Sequence, residues 1–263
     1  MLKSQRINFG ALCILGVMFL ILVSGLRSNA LTADEPAHIT MGYLFLARGQ
    51  AALWVPPEYR TQLFANALSA LPLYLSQPHI SVEALPGWDS NFPQLFHAFV
   101  VESDFSMGQL QVLARIPTVF LTLVGGAVTF RWARELFGQE AGLLSLIFWA
   151  FEPNLLAHGR LATTDISITV LGILALYCVW RWTQAPSVWL ALVSALSLGG
   201  VLLSKPSGII WGGFIALVIF NPLRLYRRRQ VNLRGIFSGA GILFGSGLLL
   251  WAAYGFTWGR IST

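Results

Sequence analysis

The first hydrophobic stretch, residues 7–26, reads INFGALCILGVMFLILVSGL and contains no charged residue. About 20 apolar residues are enough to span a bilayer as a helix. Lys3 and Arg6 precede the stretch, and Ser28-Asn29-Ala30 after it faintly resembles a cleavage site. The stretch is longer than the apolar core of about 7–15 residues that secretory signals carry. We therefore predict a retained transmembrane helix.

The composition of the whole chain extends this conclusion. Hydrophobic residues make up 56% of the 263 residues and charged residues 11%, whereas soluble domains carry about 25% charged residues. The predicted fold is an all-α polytopic membrane protein with about seven transmembrane helices, forming one membrane domain over residues 1–263. The six spans predicted after the first are at about 110–130, 139–157, 165–182, 187–204, 207–223 and 235–257.

Residues 27–109 separate the first two spans and hold seven of the eleven acidic residues. Two parts of this segment, 36–47 and 59–71, repeat apolar residues at helical spacing. We predict that both are amphipathic helices lying in the membrane interface. The apolar positions sharing a face are Ile39, Tyr43 and Leu46 in the first part, and Leu63, Ala67, Leu68 and Leu71 in the second.

The distribution of basic residues predicts the orientation, because cytoplasmic ends of spans are enriched in Lys and Arg. With a cytoplasmic N-terminus, the inner ends hold ten basic and two acidic residues, and the outer side holds seven basic and nine acidic residues. The first loop is then extracytoplasmic in a multi-pass protein of the cell membrane. The Arg227–Arg229 cluster becomes an anchor near anionic lipid rather than a nucleic-acid site.

An acidic pair, Asp34-Glu35, follows the first span and precedes Pro36. One interpretation is a helix start, in which Asp34 caps the first turn and Glu35 and Pro36 occupy favoured early positions. The other is catalytic: a carboxylate at the membrane surface acts as a general base. His38 lies four residues after Asp34, on the same helical face. There it either orients that carboxylate or is a satisfied interfacial histidine with no role in the site.

Further polar residues fall at outer ends of the predicted spans. Arg115 is either a snorkelling arginine or a cation for a lipid phosphate. Residues 151–165 concentrate acidic, basic and hydroxyl side chains, including His158, Arg160 and Asp165. Thr164 or Asp165 can also simply cap the fourth span. Lys205 lies at a tight outer turn, where a lysine often does no more than hold the helix end in the headgroups. Together, Arg115, Arg160 and Lys205 are candidates to surround one phosphate group. No metal site is predicted from the spacing of the histidines.

In the order in which they occur, these motifs resemble the GT-C membrane glycosyltransferases, in particular the group of protein O-mannosyltransferases and lipid A aminoarabinose transferases. The resemblance covers nearly the whole chain, and its relatives are longer, so the chain corresponds to their N-terminal part. The matching motifs are Asp34-Glu35 with His38 and Gly42-Tyr43; Ala114-Arg115-Ile-Pro117; Arg134-Glu135-Leu136-Phe137-Gly138; Pro153-Asn154-Leu-Leu-Ala-His158-Gly159 with Thr164-Asp165; and Ser204-Lys205.

The resemblance implies an inverting transfer of sugar from a polyisoprenyl-phosphate donor to a protein or glycolipid acceptor outside the cytoplasm. Asp34 is then the base and Glu35 supports it. Its other implied site residues, for donor, sugar or acceptor, are Arg115, His158, Arg160, Asp165, Lys205 and His38. No cofactor is implied beyond the lipid-linked donor, and a role for a divalent metal stays open.

Two other functions remain open at this point. A polar-lipid transporter or flippase would place ionisable groups near the bilayer midplane, whereas here they fall near span ends. An inactive truncated form or partner subunit is compatible with the short chain, and a transfer assay distinguishes it from an enzyme.

Overall fold

The computed structural model describes residues 2–49, 62–77, 80–88, 90–220 and 233–256, and within these it is helical and contains no strand. Short 3₁₀ turns occur at Val82–Ala84 and Pro206–Gly208. The α-helices in chain order are α1 (Leu2–Ser24), α2 (Glu35–Arg48), α3 (Leu63–Ser76), α4 (Phe92–Glu102), α5 (Met107–Phe137), α6 (Gln139–Phe151), α7 (Pro153–His158), α8 (Asp165–Gln184), α9 (Val188–Ser204), α10 (Ile209–Ile219) and α11 (Leu233–Ala253).

Helices occur at each of the seven predicted spans. Three described segments are long and apolar enough to cross a membrane: Gln5–Ser24, Met107–Phe137 and Asp165–Gln184. The shorter apolar helices α6, α9, α10 and α11 coincide with the other four predicted spans. The helical class is therefore confirmed, and membrane crossing by all seven segments stays a prediction.

The chain divides into two compact units, with the boundary after Ser167. In the first unit, α1, α5 and α6 pack against one another. A capping box starts α5, because the Ser106 hydroxyl accepts from the Gln109 N–H and the Gln109 side chain accepts from the Ser106 N–H. Across this packing, the indole N–H of Trp149 on α6 donates to the Thr122 carbonyl on α5, at 3.0 Å.

The first loop packs on α5 through α3, and α2 packs in turn on α3 and α4. Both predicted amphipathic segments are helical, although α3 begins at Leu63 and residues 59–61 lie outside the described part. The predicted membrane-facing side of α2 is instead packed on protein: Ile39 and Tyr43 are both 0% exposed within an apolar cluster that also includes Leu73 and Phe99. The reason is that α3 and α4 supply apolar partners that residues 36–47 alone do not reveal.

On α3 the buried face also differs from the predicted one. Leu63 is buried, but Leu71 is 40% exposed, and the interior positions further along include Ala70 and Leu73. The buried face also carries the polar residue Asn66. The face of α3 that contacts protein is therefore not the predicted apolar face, which ends at the exposed Leu71.

The second unit, from Ile168 onward, contains most of α8 together with α9, α10 and α11. Helix α9 packs closely on α11, and α10 contacts both of them. The buried apolar core of this second unit is formed by Ala175, Val179, Trp182, Leu198, Ile215 and Ile242. Lys205 lies where α9 ends, directly before the Pro206–Gly208 turn.

Candidate functional site

Glu35 is the most highly connected acidic side chain of the candidate site. Its carboxylate is 0% exposed and accepts two hydrogen bonds from the Arg115 guanidinium, each at 2.8 Å. It also accepts from the backbone N–H groups of Thr32, at 2.8 Å, and Ala162, at 2.9 Å. The Thr32 hydroxyl lies 3.2 Å from the same carboxylate. Glu35 thus links the first loop, α5 and the segment before α8.

Arg115 is held equally firmly from the other side. Besides Glu35, its guanidinium donates to the carbonyls of Leu26, Asn29 and Ala30, at 2.7, 3.1 and 3.0 Å. A guanidinium has five N–H donors, and all five are engaged in this set. Because Arg115 is also fully buried, this geometry supports a positioning role and offers no donor to a lipid phosphate.

The ion pair sets the protonation state of Glu35. Burial raises the pKa of the Glu35 carboxyl, but the Arg115 hydrogen bonds, the N–H groups of Ala162 and Thr32 and the arginine charge together outweigh it. The resulting pKa lies below the ordinary value of 4.5. Glu35 is therefore a carboxylate at neutral pH, and its lone pairs are occupied by protein donors.

Asp34 differs sharply from its neighbour. It occupies the N-cap position of α2, but its side chain makes no capping hydrogen bond, and the residue is exposed. Pro36 stands at the start of the helix, as expected for a residue that lacks an N–H. The geometry removes the side-chain cap as the explanation for Asp34 and leaves its carboxylate at the surface, beside a rigid buried ion pair.

His38 lies one helical turn after Asp34. Its Nδ1 is 2.9 Å from the Asn66 side-chain oxygen on α3. Burial lowers the pKa of His38 below the ordinary 6.5, opposed by the Asn66 hydrogen bond and by the charges of Asp34, Asp165 and Glu35. The structure thus brings Asp34, His38 and Asp165 into one electrostatic environment. Asn66 was not predicted from the sequence, although an amide among apolar helical positions was an available signal.

The segment between α6 and α8 contributes the remaining predicted residues of this unit. Glu152 starts α7 by accepting from the Leu155 N–H, at 2.6 Å. His158 Nδ1 lies 3.4 Å from Asp165, and both side chains are close to half exposed. Arg160 lies against the chain directly after α1. The evidence is at Gly25, where an added Cβ would be 2.9 Å from the Arg160 Cδ atom.

The predicted set is therefore only partly brought together. At the start of α2, Glu35 pairs with Arg115, and His38 lies within reach of the charges of Asp34 and Asp165. His158 lies beside Asp165, and Arg160 lies against the end of α1. Lys205 belongs to the second unit, so its convergence with the other cations stays a prediction. No group of three or more His, Cys, Asp or Glu side chains suited to a metal occurs among the residues that were described.

A family model described as dolichyl-phosphate-mannose-protein mannosyltransferase matches residues 95–251. The matched region contains Arg115, His158, Arg160, Asp165 and Lys205, whereas Asp34, Glu35 and His38 precede it. No curated protein and no solved structure matches the chain.

Proposed function

Because the chain belongs to the dolichyl-phosphate-mannose-protein mannosyltransferase family, whose members are membrane glycosyltransferases of the GT-C type, we propose that it transfers a sugar from a polyisoprenyl-phosphate donor. The transfer takes place on the extracytoplasmic side and inverts the anomeric centre. The acceptor is a protein or a glycolipid that presents a nucleophilic hydroxyl or amine. Family membership favours this function over lipid transport.

The observation that carries the proposal is the contrast between two adjacent carboxylates. Glu35 is buried and fully engaged by Arg115 and backbone donors, whereas Asp34 is exposed and makes no cap bond. A base must be able to reach the proton that it removes. Asp34 meets this condition and Glu35 does not, so Asp34 is the proposed base and Glu35 a positioning residue.

The proposed reaction is a single displacement. Asp34 accepts the proton of the attacking acceptor group, the acceptor atom forms a bond to C1 of the sugar, and the bond from C1 to the phosphate oxygen breaks. The phosphate leaves with that electron pair and gains negative charge. Fixed positive charge stabilises such a leaving group. We assign this role to Arg160, since the guanidinium of Arg115 is already engaged by protein acceptors. Lys205, in the second unit, stays a candidate from the family resemblance alone.

His158 and Asp165 are proposed contacts for the sugar or the acceptor. They lie 3.4 Å apart and are accessible to solvent, and the Asp165 charge reaches His38. Which hydroxyl each contacts depends on the sugar.

The Asp34→Asn variant tests the proposal. Asparagine fits an N-cap position about as well as aspartate, but its amide is not a base. Transfer should fall by about 10²–10⁴-fold, while expression and membrane insertion are unchanged. The assay uses a radiolabelled polyisoprenyl-phosphate sugar and measures label released from the lipid phase or moved to acceptor.

Asp104→Asn is the matched control, because Asp104 is an exposed acid of the same loop. It should retain the wild-type rate. Normal turnover by a folded Asp34→Asn variant would refute Asp34 as the base, and Asp165 would become the next candidate. Absence of transfer in the wild-type protein would instead contradict the proposed activity of this chain.

A further inference from the structure

Asn66 is a buried amide of α3 that belongs to none of the motifs carrying the family resemblance. Asn66 is 4% exposed in the first turn of α3. A buried amide is destabilising unless its polar atoms are hydrogen-bonded. Its side-chain oxygen lies 2.9 Å from Nδ1 of His38 on the neighbouring helix. The amide oxygen therefore has its partner on a residue next to the candidate base.

This contact favours one tautomer of His38. A side-chain carbonyl oxygen accepts hydrogen bonds and donates none. Nδ1 must then be the N–H donor, and in the neutral imidazole Nε2 is left with an unshared electron pair. Nε2 lies on the ring edge directed away from Asn66.

The packing of α2 on α3 keeps the two side chains in register. At Gly42, one turn after His38, an added Cβ would lie 2.0 Å from the Asn66 backbone carbonyl oxygen and 2.9 Å from Ala70 Cβ. Only glycine allows this close approach, and the backbone of Asn66 has little room to move. Rotation of the His38 ring would require loss of the Asn66 hydrogen bond.

We propose that Asn66 is a positioning residue that holds His38 in the Nδ1-protonated form, so that Nε2 accepts a hydrogen bond from an O–H or N–H of the acceptor whose proton is not the one that Asp34 removes. This inference rests on the proposed transferase function. His38 orients the acceptor and Asp34 removes its proton. Acceptors that present a hydrogen-bond donor fit Nε2, whereas a carboxylate does not.

The charges around His38 are consistent with this arrangement. Asp34 and Glu35 face it from the start of its own helix, and Asp165 faces it from the start of α8. The Glu35 charge is compensated by Arg115, and Asp165 lies beside His158. Burial nevertheless keeps the pKa of His38 below 6.5, so the ring is neutral at pH 7.

The first test reads the tautomer directly and does not depend on activity. In protein labelled with ¹⁵N-histidine and held in micelles, the two ring nitrogens of each neutral imidazole differ in chemical shift according to which one is protonated. The sequence contains four histidines, and His38→Gln identifies the relevant signals. Wild-type His38 should show protonated Nδ1, and Asn66→Leu should lose this preference. Protonated Nε2 in the wild type would overturn the inference.

The second test uses the pH dependence of kcat/KM. The acid limb should follow the His38 pKa, because protonated Nε2 no longer accepts a hydrogen bond. Asn66→Asp keeps an acceptor but adds a negative charge, so the limb should move upward by about 1–3 pH units. Asn66→Leu should lower kcat/KM by about tenfold, the effect of one lost hydrogen bond.

Ser69→Ala is the control, since Ser69 is also a buried polar residue of α3, 2% exposed. It should leave the acid limb in place. An unchanged limb in a folded Asn66→Asp variant would overturn the inference. If the wild type shows protonated Nδ1 but transfers no sugar, the proposed function fails, while the effect of Asn66 on His38 stands on the tautomer signal.

Discussion

Breaking the buried Glu35–Arg115 pair should destabilise the protein more than removing any exposed ion pair. Both side chains are 0% exposed, and their charged atoms are 2.8 Å apart. Glu35→Gln leaves the arginine charge buried without its carboxylate, and the loss of one partner of a buried pair costs about 3–5 kcal/mol. Arg115→Met should cost at least as much, because the carbonyls of Leu26, Asn29 and Ala30 also lose their donor.

The free energy of unfolding can be measured by titrating the micelle-bound protein with a denaturing detergent and following tryptophan fluorescence. Glu135→Gln is the matched control, since its ion pair with Arg131 has a similar distance of 3.0 Å but lies at the surface. The control should change the free energy of unfolding by about 0.3–0.5 kcal/mol. The Glu35→Gln/Arg115→Met double variant should be less destabilised than the sum of the single variants, with a coupling energy of about 0.5–3 kcal/mol.

The pair also predicts how stability depends on pH. The pKa of Glu35 is lower in the folded protein than the ordinary 4.5. Its contribution to stability is therefore complete above pH 4.5 and is lost as the pH falls through the folded-state pKa. Glu35→Gln should flatten this part of the stability profile. If Glu35→Gln costs no more than Glu135→Gln and leaves the acid profile unchanged, the buried-pair argument is wrong.

Three further predictions follow from other features. Gly42→Ala should destabilise by about 1–3 kcal/mol through overpacking against Asn66, measured by the same detergent titration, whereas Gly16→Ala, with nothing within 4 Å of an added Cβ, should be close to neutral. Because the pKa of His38 is lowered from 6.5 by burial, its protonation should reduce stability as the pH falls below 6.5, and His38→Gln should remove this dependence in denaturation curves. A cysteine at position 83 should react with an impermeant reagent from outside intact cells; labelling only after lysis would reverse the predicted orientation.

The sequence predicted the parts of this protein that depend on local pattern. Apolar length located the helices, and the Asp34-Glu35 pair was recognised as the start of α2 and as a candidate site. The sequence could not show that Glu35 is buried and paired while Asp34 stays exposed. This difference depends on Arg115, 80 residues from Glu35, and on the Ala162 N–H, 127 residues from it. No local spacing records such contacts.

The role of Arg115 shows the same limit. A basic residue near a span end is equally compatible with snorkelling, with binding a phosphate and with an internal ion pair. Only the folded first loop, which supplies Glu35 and three backbone carbonyls, selects the third. The buried face of α3 likewise depends on which helices pack against it. The burial of Asn66 was therefore not predictable from the leucines and alanines around it in the sequence.

The connections of Glu35 also set an order for biogenesis. Its partners are made at three different times: Thr32 leaves the ribosome just before it, Arg115 some 80 residues later, and the Ala162 N–H later still. Until α5 has been synthesised, the nascent chain carries an unpaired glutamate, and burial of an unpaired carboxylate is strongly unfavourable. Docking of the first loop therefore waits for a later helix, and the surface around Asp34 is completed only when the segment before α8 has been synthesised.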